Sequence, residues 1–337
     1  MKELNVYDTS IQKEALINEL KGNLFEFLVG QCLANSYGLE GEYLGSISPE
    51  FTDRLQTYEL WLRENSPGLL EKLPLLAKTS AEFFKKNEVD NIDAILLVGK
   101  VLGGSSDQRA KEADLLLKKK DSVSSLSLKL CKENSFVNTK SAGARSFYPK
   151  YFSKQFPSAR SAQDNLNHKL EEDYKEVSLA LHEMAGLPPE ESFGAAWKEA
   201  GLPLLPGQLN TSMNKRLKEH YYYMIQSFFE VWENLYKKDN KKFKDCMMPL
   251  LGFGHSDLIQ LSCFYSGDYQ LSFNNLKKAG PYRLRLDDSV LIPPKEGLSS
   301  FEMKMEDCSF QIRLKPMNKF TVPGLKVNCS LKLHKEN

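Results

Sequence analysis

Residues Lys111 to Lys140, KEADLLLKKKDSVSSLSLKLCKENSFVNTK, hold two short apolar runs separated by a charged break, the pattern of a β-hairpin. Pairing the run around Asp114 antiparallel with the run around Lys129 centres the turn on Asp121-Ser122 and sets carboxylate beside ammonium. Within the second run the two-residue period puts Ser125, Ser127, Lys129 and Cys131 on one face and Leu126, Leu128 and Leu130 on the other. Lys129 then projects from a small polar face with an apolar sheet behind it.

Outward from this hairpin, residues 10 to about 86 carry apolar residues at helical spacing in INELKGNLFEFLVGQCLA, FTDRLQTYELWL and LLEKLPLLAKTSAEFFKK, punctuated by Gly38, Pro49 and Pro67. At Ile92 the texture changes to strand-length runs, beginning with IDAILLVGKVL. The apolar spacing from Ala159 to Met184 predicts a long helix that covers the sheet. A second long helix is predicted over Met213 to Lys238, with most of Tyr221, Tyr222, Tyr223, Phe228, Phe229 and Trp232 in the core or at an interface. From about His255 the runs QLSCFY, YQLSF, YRLRLDD, SFEMKM, SFQIRLKP and LKVNCSLKL are β-like. The expected class is α/β of the α+β kind: a mixed β-sheet flanked by helices within 1–250 and a β-rich region over 251–337.

Six cysteines without a CxxC pair and five histidines without a ligand spacing argue against a zinc site. The start lacks the basic and apolar regions of a signal peptide, and no apolar run is long enough to span a bilayer, so a cytoplasmic protein without a membrane partner is expected. The net charge of +1 hides local excesses. From Lys118 to Arg160 ten basic residues face two acids, Asp121 and Glu133, and from Ser309 to Lys335 six basic residues face none. The segment NTKSAGARSFYPKYFSKQF reads as a loop approaching a phosphate backbone, with Lys140, Arg145 and Lys150 as contacts; the later run offers Arg313, Lys315 and Lys319. A solvated surface is the plain alternative for either run.

A carboxylate beside a half-desolvated lysine can hold a hard cation such as Mg²⁺ while the ammonium steadies a pentavalent phosphate, which is the chemistry of phosphodiester hydrolysis. In order and spacing, Glu26 in KGNLFEFLV on an early helix, Ala113-Asp114 on one strand and Ser127-Leu128-Lys129 on the next resemble the PD-(D/E)xK nuclease superfamily, specifically type II restriction endonucleases. Two departures are visible: Ala113 stands in place of the usual proline, and Ser127 in place of the usual acid, as in the SxK variants of the family. The resemblance implies a restriction-endonuclease-like core with Asp114 and Glu26 as Mg²⁺ ligands, Lys129 as the catalytic lysine, and Ser127 supporting them. It also implies double-stranded DNA as substrate and a homodimer on a palindromic site. Other carboxylates that could replace the missing acid are Asp93, Glu112 and Glu133.

Plainer readings stand beside these. Asn23 and Glu26 have the spacing of a capping box, and Asp114 with Lys129 could be a structural cross-strand ion pair. The competing functions are a nuclease of the same superfamily acting in repair or transposition, and a DNA-binding protein that does not cut.

Overall fold

The computed structural model describes residues 10–87, 91–98, 113–120, 122–254, 258–267, 276–279, 288–306, 308–317 and 319–334. In chain order the elements are α1 (Ser10–Ser36), α2 (Glu40–Gly45), α3 (Pro49–Asn65), α4 (Pro67–Asn87), β1 (Ala94–Leu97), β2 (Leu115–Lys119), β3 (Ser122–Lys132), β4 (Val137–Gly143), α5 (Phe147–Phe152), α6 (Ala159–Met184), α7 (Ala195–Glu199), α8 (Thr211–Lys238), α9 (Asn240–Met247), β5 (Leu258–Tyr265), β6 (Leu276–Ala279), β7 (Val290–Ile292), β8 (Ser300–Lys304), β9 (Cys308–Pro316) and β10 (Leu325–Leu333). The class is mixed α/β, with two sheets flanked by helices and a β-rich C-terminal region. Among the described residues no helix is long and apolar enough to cross a membrane.

Two compact units divide the chain, Met1–Ser135 with Phe253–Leu284, and Phe136–Gly252 with Arg285–Asn337. The first holds a sheet in the order β1-β2-β3-β5-β6. Leu20, Leu24 and Leu33 of α1 and Leu69, Leu73 and Leu76 of α4 form one core with Leu115, Leu117, Leu126, Leu128 and Leu261 of the sheet. Each such buried leucine contributes about 1.5–3 kcal/mol. Local signals agree with this packing: Ser48 caps α3 by accepting the Phe51 N–H, and Pro49 follows at the first helical position, where no N–H is needed.

β3 runs parallel to β5, with Ser127 beside Gln260 and Lys129 beside Ser262. A parallel neighbour cannot follow through a tight turn, so the chain must travel far between the two strands. Here that excursion, from Phe136 to Gly252, lies in the second unit. Hence the division read from the sequence at 250/251 does not follow the compact units: β5 and β6 complete the first sheet, whereas β4 and α5–α9 lie in the second unit. Local alternation marks a strand but not the sheet it joins.

The second unit holds an antiparallel sheet in the order β4-β10-β9-β8-β7. α8, capped by Asn210 on the Met213 N–H, lays Trp232 against Phe301 and Phe310, with ring centroids 5.7 and 6.1 Å away. Of the aromatics expected in the core or at an interface, Tyr221, Phe228 and Trp232 are buried, Tyr222 and Phe229 are half-buried and Tyr223 is exposed. Two expectations are corrected here. The helix over 159–184 belongs to the unit that does not contain the hairpin. The basic segment expected as a loop is instead strand β4, a 3-10 turn over Ala144–Ser146 and helix α5. Phe147, Tyr148 and Phe152 explain the difference, since all three are fully buried and burying them requires ordered backbone. Of the late β-like runs, residues 269–273 and 282–287 lie outside the described residues.

Candidate active site at the β2–β3 hairpin

β2 and β3 pair antiparallel with Leu115 opposite Leu126 and Lys119 opposite Ser122. That register leaves Lys120 and Asp121 between the strands, one residue earlier than the turn expected at Asp121-Ser122; Asp121 itself lies outside the described residues. Continued by one residue, the register sets Asp114 opposite Ser127, and Lys129 two places further on the same face. The Asp114 N–H donates to the Leu126 carbonyl at 2.9 Å, which fixes the backbone at this position.

Three donors converge on one carboxylate oxygen. Asp114 Oδ2 accepts the Leu128 backbone N–H at 2.6 Å, the Ser127 hydroxyl at 3.1 Å and the Lys129 ammonium at 3.4 Å. The expected juxtaposition of Asp114 and Lys129 is therefore present, with side-chain exposures of 14% and 26%. Ser127, only 4% exposed, bonds to Asp114 from the place where the family pattern has an acid.

Burial has the largest single effect on the Lys129 ammonium and would lower its pKa. The Asp114 carboxylate, then the Glu26 carboxylate, then the hydrogen bond to Asp114 outweigh it, so the pKa lies above the ordinary lysine value. Lys129 is thus held as a cation at neutral pH, suited to charge stabilisation rather than to proton abstraction.

Glu26 is half-buried on α1 and acts electrostatically on two groups. One is Lys129; the other is the Tyr43 hydroxyl, pushed far up first by burial and then by Glu26. Tyr43 donates to the Phe27 carbonyl at 3.0 Å, and its ring occupies the space a side chain on Gly30 would need. Glu26 is therefore carried by a helical turn locked against α2. The capping-box alternative does not hold, because α1 runs uninterrupted from Ser10 to Ser36 and Asn23 lies in its interior.

The other carboxylates are placed less favourably. Asp93 is exposed and its N–H bonds Lys118, four residues or roughly 13 Å along β2 from Asp114. Glu133 is exposed beyond the end of β3, and Glu112 lies outside the described residues. Among the described residues no group of three or more His, Cys, Asp or Glu side chains gathers to hold a metal ion. Carboxylate oxygens are the donors a hard cation takes, and Asp114 and Glu26 are the two carboxylates that act on Lys129.

One nearby group went unread in the sequence. Lys21, one turn before Phe25 on α1, is 5% exposed; its ammonium donates to the Tyr265 hydroxyl at 2.7 Å and lies 4.9 Å from that ring's centroid. Burial lowers its pKa, and it acts in turn on Cys131, whose thiol is pushed up to about 11 by its own burial. A lysine on the same helical stripe as Leu20 and Leu24 was the available signal.

The expected phosphate contacts all lie in the second unit, on β4, the 3-10 turn, α5, β9 and the loop after it. Arg145 forms an ion pair with Glu171 at 2.7 Å and reaches the Pro323 carbonyl at 3.4 Å. Lys140 is half-buried opposite Cys329, and Lys150 is exposed with its ammonium 5.4 Å from the Tyr151 ring centroid. Arg313, Lys315 and Lys319 are exposed in the second unit. No family model, no curated protein and no solved structure matches this chain.

Proposed function

We propose that the chain is a Mg²⁺-dependent endonuclease of the PD-(D/E)xK type with an SxK motif, hydrolysing phosphodiester bonds in double-stranded DNA as type II restriction enzymes do. The observation that carries the reading is the convergence of Lys129, Ser127 and the Leu128 N–H on Asp114, with Glu26 near enough to act on Lys129.

Asp114 and Glu26 would hold the cation, and the bound ion would supply an acidified water and neutralise charge on the phosphate. The chain's own residues do the rest. The Leu128 N–H and Ser127 hydroxyl fix the Asp114 carboxylate through Oδ2, and Oδ1 would be the oxygen offered to a ligand. Lys129, kept protonated, offers its ammonium to a non-bridging phosphate oxygen as charge builds there. In the reaction a water oxygen forms a bond to phosphorus, the bond to the ester oxygen breaks, and that oxygen takes up a proton. A homodimer that presents two such sites would cut both strands.

Incubating mixed-sequence DNA with and without Mg²⁺ and sequencing the ends tests this. Ends that share one short sequence and require Mg²⁺ are expected; ends of random sequence would point to a repair or transposition nuclease instead. A second reading is favoured by the same three bonds. They suffice to account for Asp114 as a structural anchor, which with Ser127 in the acid's place describes a DNA-binding protein that does not cut. Salt-sensitive DNA binding without cleavage under any divalent cation would select it.

A further inference from the structure

We propose that the outward face of the second unit's sheet is a docking surface for duplex DNA, with Lys315, Lys326 and Arg313 seated on the phosphate backbone. The choice of DNA as the polyanion rests on the nuclease reading; the surface itself rests on the sheet.

Burial alternates along both central strands. Phe310, Ile312 and Leu314 of β9 and Leu325, Val327, Cys329 and Leu331 of β10 face the core. Gln311, Arg313, Lys315, Lys326, Asn328 and Ser330 therefore share the other face. The register sets Lys315 directly opposite Lys326 and Arg313 opposite Asn328. Residues two apart on a strand are about 6.8 Å apart, so three cations crowd one corner of the face.

Like charges directly opposite on paired strands destabilise a sheet. The Lys315 pKa is lowered, first by partial desolvation of its side chain and then by Lys326 and Arg313. Glu302, the acid among these face positions on β8, bonds to Gln311 rather than to the cations. Such a cluster is a cost to the isolated fold that an anionic partner removes.

The surroundings favour an extended polyanion over a small phosphate. The cations stand on a sheet face among amides and hydroxyls already tied to one another: Ser141 donates to Asn328 Oδ1 at 2.9 Å, and Arg313 to Gln311 Oε1 at 3.2 Å. This is a polar, cationic sheet face with Arg313 and Lys315 exposed and Lys326 half-buried, and phosphate contacts of this kind position a protein on a duplex without reading its sequence. Lys326 was not among the contacts expected from the sequence. Its pairing with Lys315 across the hairpin singles it out.

The test is a titration of the full-length protein against a mixed-sequence duplex in EDTA at several salt concentrations, comparing wild type, Lys315→Gln/Lys326→Gln, and the control Lys198→Gln/Lys241→Gln, which removes the same charge from exposed helix positions. The first double variant should bind on the order of tenfold more weakly, with a log-affinity against log-salt slope shallower by about 2, and the control should bind as wild type. It should also melt at or above the wild-type temperature, because a repulsion is relieved; a lower melting temperature would mean the lysines serve the fold and would overturn the proposal. Unchanged affinity and slope, or an equal loss in the control, would overturn the surface while leaving the nuclease reading intact. Failure of the wild type to bind DNA would overturn both, whereas metal-dependent cutting that survives Lys129→Ala would remove the nuclease mechanism and leave the surface standing.

Discussion

At Asp114 a single carboxylate oxygen takes a backbone, a hydroxyl and an ammonium donor, so substitutions there act on stability and chemistry together. Asp114→Ala should cost about 3 kcal/mol in urea unfolding, since it strands buried donors and one charge, and should abolish Mg²⁺-dependent cleavage. Lys129→Ala separates the two effects more cleanly: cleavage should fall by roughly 10²–10⁴-fold while DNA affinity stays near wild type. Lys21 offers a pH test away from the carboxylates. Its folded-state pKa is lowered by burial, so between that value and about 10.4 the unfolded chain binds more protons than the folded one. Wild-type stability relative to Lys21→Met should therefore rise with pH through that window; denaturant titrations of both proteins from neutral to alkaline pH measure it, and a falling difference would contradict the burial argument.

Helix α1 does two jobs at the scale of an element. Leu20, Leu24 and Leu33 join the core, while the Glu26 carboxylate acts electrostatically on Lys129. Its rotation is held where Tyr43 crosses Gly30 and bonds Phe27. Gly30→Ala should push Tyr43 out of that place, with a destabilisation of about 1–3 kcal/mol read from thermal or urea unfolding. In the proposed enzyme the same change should lower kcat, because Glu26 would lose its setting. The hairpin was legible in the sequence, since LLL and SLSLKL separated by KKKDSVS leave few other pairings. Its register was off by two residues because a turn one residue earlier satisfies the same local alternation, and the pairing Lys119–Ser122 was decided by which leucines reach the core.

Over the whole molecule each unit is built from two stretches of chain. Truncation after residue 250 would remove β5 and β6 from the first sheet and β7 to β10 from the second. Fragment 1–250 should therefore lack a cooperative unfolding transition and be digested rapidly by protease, whereas a boundary at 250/251 would leave a folded core. Circular dichroism of the fragment against the full chain distinguishes the two.

Composition and periodicity alone determined the mixed α/β class, the early helices, the hairpin, and Asp114 with Lys129 as neighbours, because these depend on residues close in sequence and on the two-residue and 3.6-residue periods of local structure. The nearness of Glu26 to Lys129, the burial of Lys21 against Tyr265, the parallel pairing of β3 with β5 and the opposition of Lys315 and Lys326 were decided only in the tertiary structure. Each depends on how elements meet in space, and loop connections and core packing set that without leaving a periodic trace in the chain.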